Sequence, residues 1–542
     1  MSIFIGGAWP YANGSLHLGH VAGLLPGDIL ARYYRAKGEE VLYVSGSDCN
    51  GTPIAIRAKQ EGVEVNEIAN RYHDEFEKCF QNLGFSYNLY TRTDTEEHHK
   101  TVQSLFVKLY ENNWLYEKEV DQVFCESCDQ FLPDRYVEGE CPVCGAHSRG
   151  DQCDSCSTVL DAIDLKSKTC ITCKQSPIIQ STKHLYFSLS KLQDPIEKFF
   201  KENKHRWREN AVLLTKRYLE EGLRDRAVTR DLPNGIAVPV EGYTDKKIYV
   251  WIEAVSGYYS AAVKWGEIHQ RDICEYWEQE TTSYYVHGKD NIPFHTIIWP
   301  AILIASGITA TPNVIVSSEY LTLEKRKFST SQNWAIWLPE LLETYHPDTI
   351  RYFLTINSPE TKDTNFSWRE FIYSYNTELL GAFGNLAQRT LKFYHKEFGN
   401  VVEPFGIDEQ IREKVTGLYE AAGNQLEKGN VKRALESIFE FVRWSNKYFD
   451  EQKPWNVINE DREQARTILS QFLYILGNLS SLLHPFVPFT VETLREQLGL
   501  DNCYQWKEVL APTLLQSNTF KPLFTRIDIK EIEKERAKLG IV

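Results

Sequence analysis

Short apolar runs separated by amphipathic segments organise the first part of the chain. Ile3-Phe4-Ile5 reads as a buried strand, Val21, Leu24, Leu25, Ile29, Leu30 and Tyr33 recur at helical spacing, Gly38 ends that helix, and Val41-Leu42-Tyr43-Val44 forms the next strand. This is a βαβ unit. The pattern breaks between about 117 and 227, then resumes with Ile248-Tyr249-Val250-Trp251, Tyr284-Tyr285-Val286 and Val314-Ile315-Val316, each predicted to be a strand, and a helix from Ile297 to Ala305. The simplest architecture is one parallel sheet split by an insertion. From about 361 onward the period is helical: Leu435, Ile438, Phe439, Val442 and Phe449 make one stripe, and Ile468, Leu469, Phe472, Leu476, Leu479 and Leu483 another. The predicted fold is therefore α/β, a split Rossmann-type sheet with an inserted domain, followed by an all-α bundle. Its segments are 1–116 and 228–318 for the sheet, 117–227 for the insertion, 319–360 for a connecting region and 361–542 for the helices.

At 542 residues the chain exceeds what one core supports. The most apolar helical run, Ile468 to Leu483, is interrupted by Ser470, Gln471, Gly477 and Asn478, so no bilayer-crossing segment is predicted. Without a basic, apolar leader at its start, the chain is expected in the cytoplasm. A net charge of −14 argues against a dispersed nucleic-acid binder and leaves room for a localised basic groove. Of 12 cysteines, eight form four Cys-x-x-Cys pairs: Cys125 with Cys128, Cys141 with Cys144, Cys153 with Cys156, and Cys170 with Cys173. In a reducing compartment such pairs point to metal rather than disulfides, and eight thiolates suffice for two structural zinc ions. Spacing leaves the pairing open, nested or sequential.

Two further patterns carry chemistry. Trp9-Pro10-Tyr11-Ala12-Asn13-Gly14-Ser15 leads into His17-Leu18-Gly19-His20 at the turn from the first strand into the first helix, where backbone amides and the helix dipole favour an anion. Histidines three apart share a face and can both donate to a polyphosphate; taken alone, a polar helix cap is the commoner meaning. The second is Glu324-Lys325-Arg326-Lys327-Phe328-Ser329-Thr330-Ser331, directly after the last predicted strand. Such a loop at the carboxyl edge of a sheet can clamp a developing pyrophosphate charge, although a basic surface loop is more frequent.

Together, the two patterns across a split sheet resemble the paired signatures of class I aminoacyl-tRNA synthetases, and within that class the chain resembles the methionyl-tRNA synthetases. The matching segments are Pro10-Tyr11-Ala12-Asn13-Gly14, Asp48 with Gly51-Thr52-Pro53, Phe131-Leu132-Pro133-Asp134-Arg135, Tyr249-Val250-Trp251, Gly288-Lys289-Asp290, Phe294-His295, Trp299-Pro300, Asn385-Leu386-Ala387-Gln388-Arg389 and Glu451-Gln452-Lys453-Pro454-Trp455. A leucyl, isoleucyl or valyl relative would need a longer insertion, and a cysteinyl one an open zinc site. A zinc-ribbon RNA-binding protein without catalysis has no reason to combine His17, His20 and Asp290.

The resemblance implies activation of L-methionine by Mg-ATP to methionyl-adenylate, then transfer to the terminal ribose of tRNA(Met). It assigns His17, His20 and Lys327, with Lys325 or Arg326 helping, to the triphosphate; Asn13, Gly19, Gly288, Asp290 and Thr330 to ATP; Asp48 to the ammonium; and Arg230 to the carboxylate or α-phosphate. The side-chain slot is Trp9, Tyr11, Trp251, Ala254, Val255, Tyr258 and His295, aromatic walls suited to a thioether. It also implies zinc on Cys141, Cys144, Cys153 and Cys156, and on Cys125, Cys128, Cys170 and Cys173. Asn385, Arg389 and Trp455 would read the anticodon; Lys392 and Lys396 share the helix face of the first two. Three departures stand out: Thr330 where the family's fullest loop has lysine, Trp9 for leucine and Val255 for proline. The short insertion predicts no hydrolytic editing domain, and the lack of an OB-fold after Ile532 predicts a monomer.

Overall fold

The computed structural model describes residues 2–132, 136–150, 153, 155–156, 160–232, 234–277, 281–330, 332–516 and 520–540. Pro133, Asp134, Arg135 and Ser331 of the motifs above lie outside the described residues. The elements that matter here are β1 (Ser2–Gly7), α1 (Leu18–Ala36), β2 (Glu40–Ser47), β3 (Leu89–Arg92), β4 (Leu115–Cys125), β5 (Ile178–Phe187), α2 (Val250–His269), β6 (Thr282–Gly288), β7 (Val314–Ser318), α3 (Asn385–Phe398), α4 (Val431–Gln452) and α5 (Arg462–Leu483).

Five strands form one parallel sheet in the order β7-β6-β1-β2-β3. Strand β1 is central, with Ile5 opposite Tyr284 on one side and Tyr43 on the other. Its continuous burial explains the unbroken apolar run, since both faces of such a sheet are covered. Chain direction away from β1 reverses between β6 and β2, so the loops leaving the carboxyl ends of β1 and β6 open into a switch-point crevice.

The run Ile248–Trp251 corrects the prediction of a strand there. Only Lys247–Ile248 pair, antiparallel to Thr229–Arg230, and α2 starts at Val250. A four-residue apolar run does not distinguish a strand from the first turn of a buried helix. The spacing of Trp251, Ala254, Val255 and Tyr258 is the helical face of α2.

The insertion leaves on β4 and returns on β5, an antiparallel ladder from Leu115 opposite Phe187 to Phe124 opposite Ile178. At its far end Val123, Cys125, Leu132, Val137, Ala162, Leu165 and Cys170 make a small core of their own. The helices Gln193–Asn203 and Glu209–Glu221 behave differently: Ile196, Phe199, Phe200 and Ala211 share a core with Phe4, Leu42 and Val44 of the parallel sheet.

Helix α1 buries one face on the sheet and another against the C-terminal helices. Tyr33 meets Trp506 edge-on at 4.9 Å, and the fully buried Arg351 donates to Asp28 Oδ2 at 2.6 Å and to the carbonyls of Leu83, Pro485 and Phe486. Every one of these acceptors is buried with its donor, so the pair holds α1 in a fixed place relative to the bundle. Among the described residues no helix is long and apolar enough to cross a membrane.

Candidate functional site

The crevice holds a cavity of about 420 Å³ lined by His17, Gly19 and His20 at the start of α1, Gly288 at the end of β6 and Asp290 just beyond it, and Lys327 and Phe328 of the basic loop. Here His17 is the N-cap of α1 rather than a residue of its first turn. Its Nδ1 accepts from the Gly19 N–H at 3.1 Å, while His20 Nδ1 accepts from the His17 N–H at 3.2 Å. The two imidazoles stack at 3.9 Å. Burial pushes His17 down to about 2, with His20 as a second cause, and burial alone lowers His20 to about 4. A neutral imidazole whose Nδ1 accepts must carry its hydrogen on Nε2. The helix-cap meaning and the anion-binding meaning are therefore compatible: capping consumes both Nδ1 atoms and presents two neutral N–H donors. Gly19 is required by this packing, since a Cβ there would lie 2.9 Å from His17 Cε1.

The basic loop opens with a two-residue turn at Glu324 and Lys325, both at positive φ, closed by paired backbone bonds between Leu323 and Arg326. This turn sends Arg326 onto the Trp334 ring at 5.1 Å and Lys327 toward Tyr320, 5.8 Å from the ring centre. Among the described residues Lys327 lines the cavity, whereas Lys325, Arg326 and Thr330 are not part of its lining. Phe328, which sequence reasoning missed, stacks on His17 at 4.8 Å and 13°. Asp290 accepts from the Tyr320 hydroxyl, and Lys289 is bound to Glu319 and Asp363 at 2.6 and 2.9 Å. Asn13 sits in the loop before α1, its N–H on the Tyr11 carbonyl, outside the described lining.

Beside this cavity, the face of α2 meets the loop after β1. Trp9 lies edge-on to Tyr258 at 6.4 Å. It fits because positions 46 and 257 are glycine: a Cβ would come within 2.2 Å of its ring at Gly46 and 2.8 Å at Gly257. Tyr258 donates to His295 Nε2 at 2.7 Å, because His295 Nδ1 is the donor to the Asn291 carbonyl; burial lowers this histidine to about 4 and keeps it neutral. Trp251 leans on Tyr249 and Phe294, each at 4.9 Å, and is 38% exposed, as is Tyr11. Val255 is buried and Ala254 half-buried on the same face. Asp48 follows β2, its N–H on the Pro10 carbonyl and its own carbonyl accepting from Ala12, so the loop carrying Tyr11 is fastened to it. Burial pushes Asp48 up to about 8. Arg230 covers the Tyr249 ring at 3.9 Å and donates to the Thr229 carbonyl at 3.0 Å.

The cysteines group in the nested manner. The sulfurs of Cys125, Cys128, Cys170 and Cys173 lie within 4.8 Å of one another, as do those of Cys141, Cys144, Cys153 and Cys156. Neighbouring sulfurs are 3.4 to 3.9 Å apart across each group. A tetrahedral Zn²⁺ with bonds of about 2.3 Å separates its sulfurs by about 3.8 Å, so both sets fit the ion.

On the bundle, α3 begins at Asn385, exposed, directly after a π-helical stretch Tyr375–Gly384. Arg389, one turn on, lies over the Phe449 ring at 4.0 Å and donates to Asp450 at 2.8 Å and to the Asn446 carbonyl at 3.1 Å. Trp455 follows the left-handed Lys453 that separates α4 from Pro454–Glu460, is 44% exposed, and lies near-parallel to Phe449 at 6.2 Å. Phe449, which reads from sequence only as part of the apolar α4 stripe, and Asn446, which carries no sequence signal, support this surface.

Residues 3–391 match a family model described as tRNA synthetases class I (M), and residues 403–535 one described as the anticodon binding domain of methionyl tRNA ligase. The chain is 58% identical over 541 residues, 99% of each chain, to a methionine–tRNA ligase of Bacillus cereus (strain 03BB102). It is 57% identical over the same span to one of Bacillus anthracis (strain A0248). Its fold is shared with Mycobacterium tuberculosis methionyl-tRNA synthetase bound by methionyl-adenylate, at TM-score 0.80, 22% identity, and 97% and 100% coverage of the two chains.

Proposed function

The chain belongs to the class I methionyl-tRNA synthetases, and from that premise we propose that its switch-point cavity turns L-methionine and ATP into methionyl-adenylate and pyrophosphate before methionine passes to the terminal ribose of tRNA(Met). The observation that carries this reading is the convergence of His17, His20, Asp290 and Lys327, from three separate segments, on one cavity.

In-line attack of the methionine carboxylate on the α-phosphate, and the later acyl transfer, need positioning and charge stabilisation more than a protein nucleophile. The Nε2–H groups of His17 and His20 are assigned to the triphosphate as neutral donors and Lys327 as the mobile positive charge. Gly19 lies beneath adenine, and Asn13, Gly288 and Thr330 contact the nucleotide. Asp290 accepts from the ribose hydroxyls in exchange for Tyr320. Mg²⁺ arrives with ATP. Asp48 takes the ammonium and Arg230 the carboxylate or α-phosphate; Trp9, Tyr11, Trp251, Ala254, Val255, Tyr258 and His295 enclose the thioether. Among the amino acids tested singly in ATP–pyrophosphate exchange, methionine is expected to stimulate; stimulation by another amino acid instead, or by none, overturns the assignment.

The two four-cysteine groups are assigned structural zinc. Four thiolates per ion leave no open position for substrate, and the ions reinforce the small core of that module. Metal analysis is expected to return two equivalents, falling to one in Cys128→Ser while exchange activity survives; one equivalent in the parent protein refutes double occupancy. A cytoplasmic location agrees with thiolates kept reduced for metal. For the domain limits, the sheet of 1–116 and 228–318 is joined by the helices of 193–221, leaving the remainder of the insertion as the zinc module, with 319–360 leading to the anticodon-binding helices of 361–542.

A further inference from the structure

Asp48 has a second carboxyl for company. Glu253, in the first turn of α2, is 1% exposed, and its Oε1 accepts from the Asn50 side-chain amide. The backbone N–H of the same Asn50 donates to Asp48 Oδ1 at 3.2 Å. Thr93 stands beside them, its carbonyl accepting from the Asn50 side-chain amide at 3.0 Å. Its Oγ1 already accepts from the Cys49 N–H at 2.9 Å, and its single hydroxyl hydrogen can serve one carboxyl at a time. Two ionised carboxylates would thus face two N–H groups and one O–H, in a buried site where like charges repel strongly.

The surrounding groups do not relieve this repulsion. Asp94 adds negative charge, and the nearby cation Arg92 is committed to it through two hydrogen bonds. On the helix Glu96–Glu111, burial holds His98 down at about 3 and also lowers His99. The Cys49 thiol is pushed up by burial and stays neutral. Burial raises both carboxyls, and Asp48 raises Glu253 further.

We propose that Asp48 and Glu253 form a carboxyl pair sharing one proton, which the α-ammonium of the incoming amino acid displaces, making Glu253 a positioning residue that sets the pH range of methionine binding. The inference rests on the assignment of the ammonium to Asp48. In the step, the O–H bond of the protonated carboxyl breaks, its electron pair stays on oxygen, and the proton passes to the buffer. The ammonium keeps its hydrogens and supplies the donors the pair lacks. A cation within about 4–6 Å lowers a carboxyl by about 1–3 pK units, enough to ionise the second member near neutral pH.

Calorimetric titration of L-methionine into the full chain, in buffers of different ionisation enthalpy near pH 7, counts the protons released. The wild-type protein is expected to release a large fraction of one proton and to bind methionine more tightly as pH rises from about 6 to about 7.5, approaching tenfold per unit. In Glu253→Gln the release falls by more than half and the pH dependence flattens; Glu253→Asp restores both. An enthalpy independent of buffer in the wild-type protein overturns the proposal, whether or not Glu253→Gln folds, as does an unchanged release in a folded Glu253→Gln. Asp48→Asn separates the two ideas. If it binds methionine like the wild type, the ammonium assignment has failed; if it loses binding while Glu253→Gln releases protons normally, only the shared proton has.

Discussion

Replacing His20 with alanine is expected to slow methionine-dependent ATP–pyrophosphate exchange by roughly 10²–10³-fold, the usual cost of deleting one preorganised transition-state donor. The loss should fall on kcat, with methionine affinity nearly unchanged. Because burial lowers His17 to about 2 and His20 to about 4, both rings are neutral throughout the physiological range. Their contribution is then hydrogen-bond donation, and the wild-type rate should show no step from either histidine between about pH 5.5 and 8. For stability the sign is the same: folding holds these rings unprotonated below their ordinary value of 6.5, so the unfolded chain binds more protons and stability falls as pH drops below that value. Lys327→Ala provides the contrast. It removes an exposed formal charge, so its effect should shrink with added salt, whereas the His20→Ala effect should not. Exchange within fivefold of wild type in His20→Ala would show that the ring only caps α1.

The division between what the sequence revealed and what it hid follows from which interactions are local. The strands of the parallel sheet announce themselves because burial on both faces demands apolar runs, as at Ile3–Ile5 and Val314–Val316. Strand β3, four residues and half-exposed, leaves no such run and was not read. The histidines and cysteines were legible because their spacing is itself the chemistry. Cysteine pairing was not, since nested and sequential schemes share the same spacing and only the fold of the knuckles decides between them. Phe328, Asn50, Thr93 and Glu253 were invisible for another reason. Phe328 acts on His17, and Thr93 and Glu253 sit around Asp48, each across a long sequence interval; Asn50 lies two residues from Asp48, but its other partner, Glu253, is far along the chain. The tolerance of Trp9 belongs to the same class: its room is made by Gly46 and Gly257.

The second large effect is expected on the bundle, 66 residues of sequence apart between Arg389 and Trp455 but joined through one ring. Phe449 carries the Arg389 guanidinium at 4.0 Å and Trp455 at 6.2 Å, so cation, ring and exposed indole form one platform next to Asn385. Stacking of an unpaired base on an aromatic side chain is worth about 1–3 kcal/mol, and a bidentate base contact is similar. The double variant Arg389→Ala with Trp455→Ala should therefore lose roughly 10²–10⁴-fold in kcat/KM for tRNA(Met). Exchange without tRNA should be unaffected, because neither residue reaches the cavity. Arg389 is also bound to Asp450 and Asn446, so its truncation alone could weaken α3 against α4 rather than remove a base contact. Asp450→Asn distinguishes these cases: it loosens the guanidinium but keeps it, and should leave tRNA charging near wild type if Arg389 reads a base. If Asp450→Asn lowers charging as far as Arg389→Ala does, the arginine holds the helices together and Trp455 alone contacts the RNA.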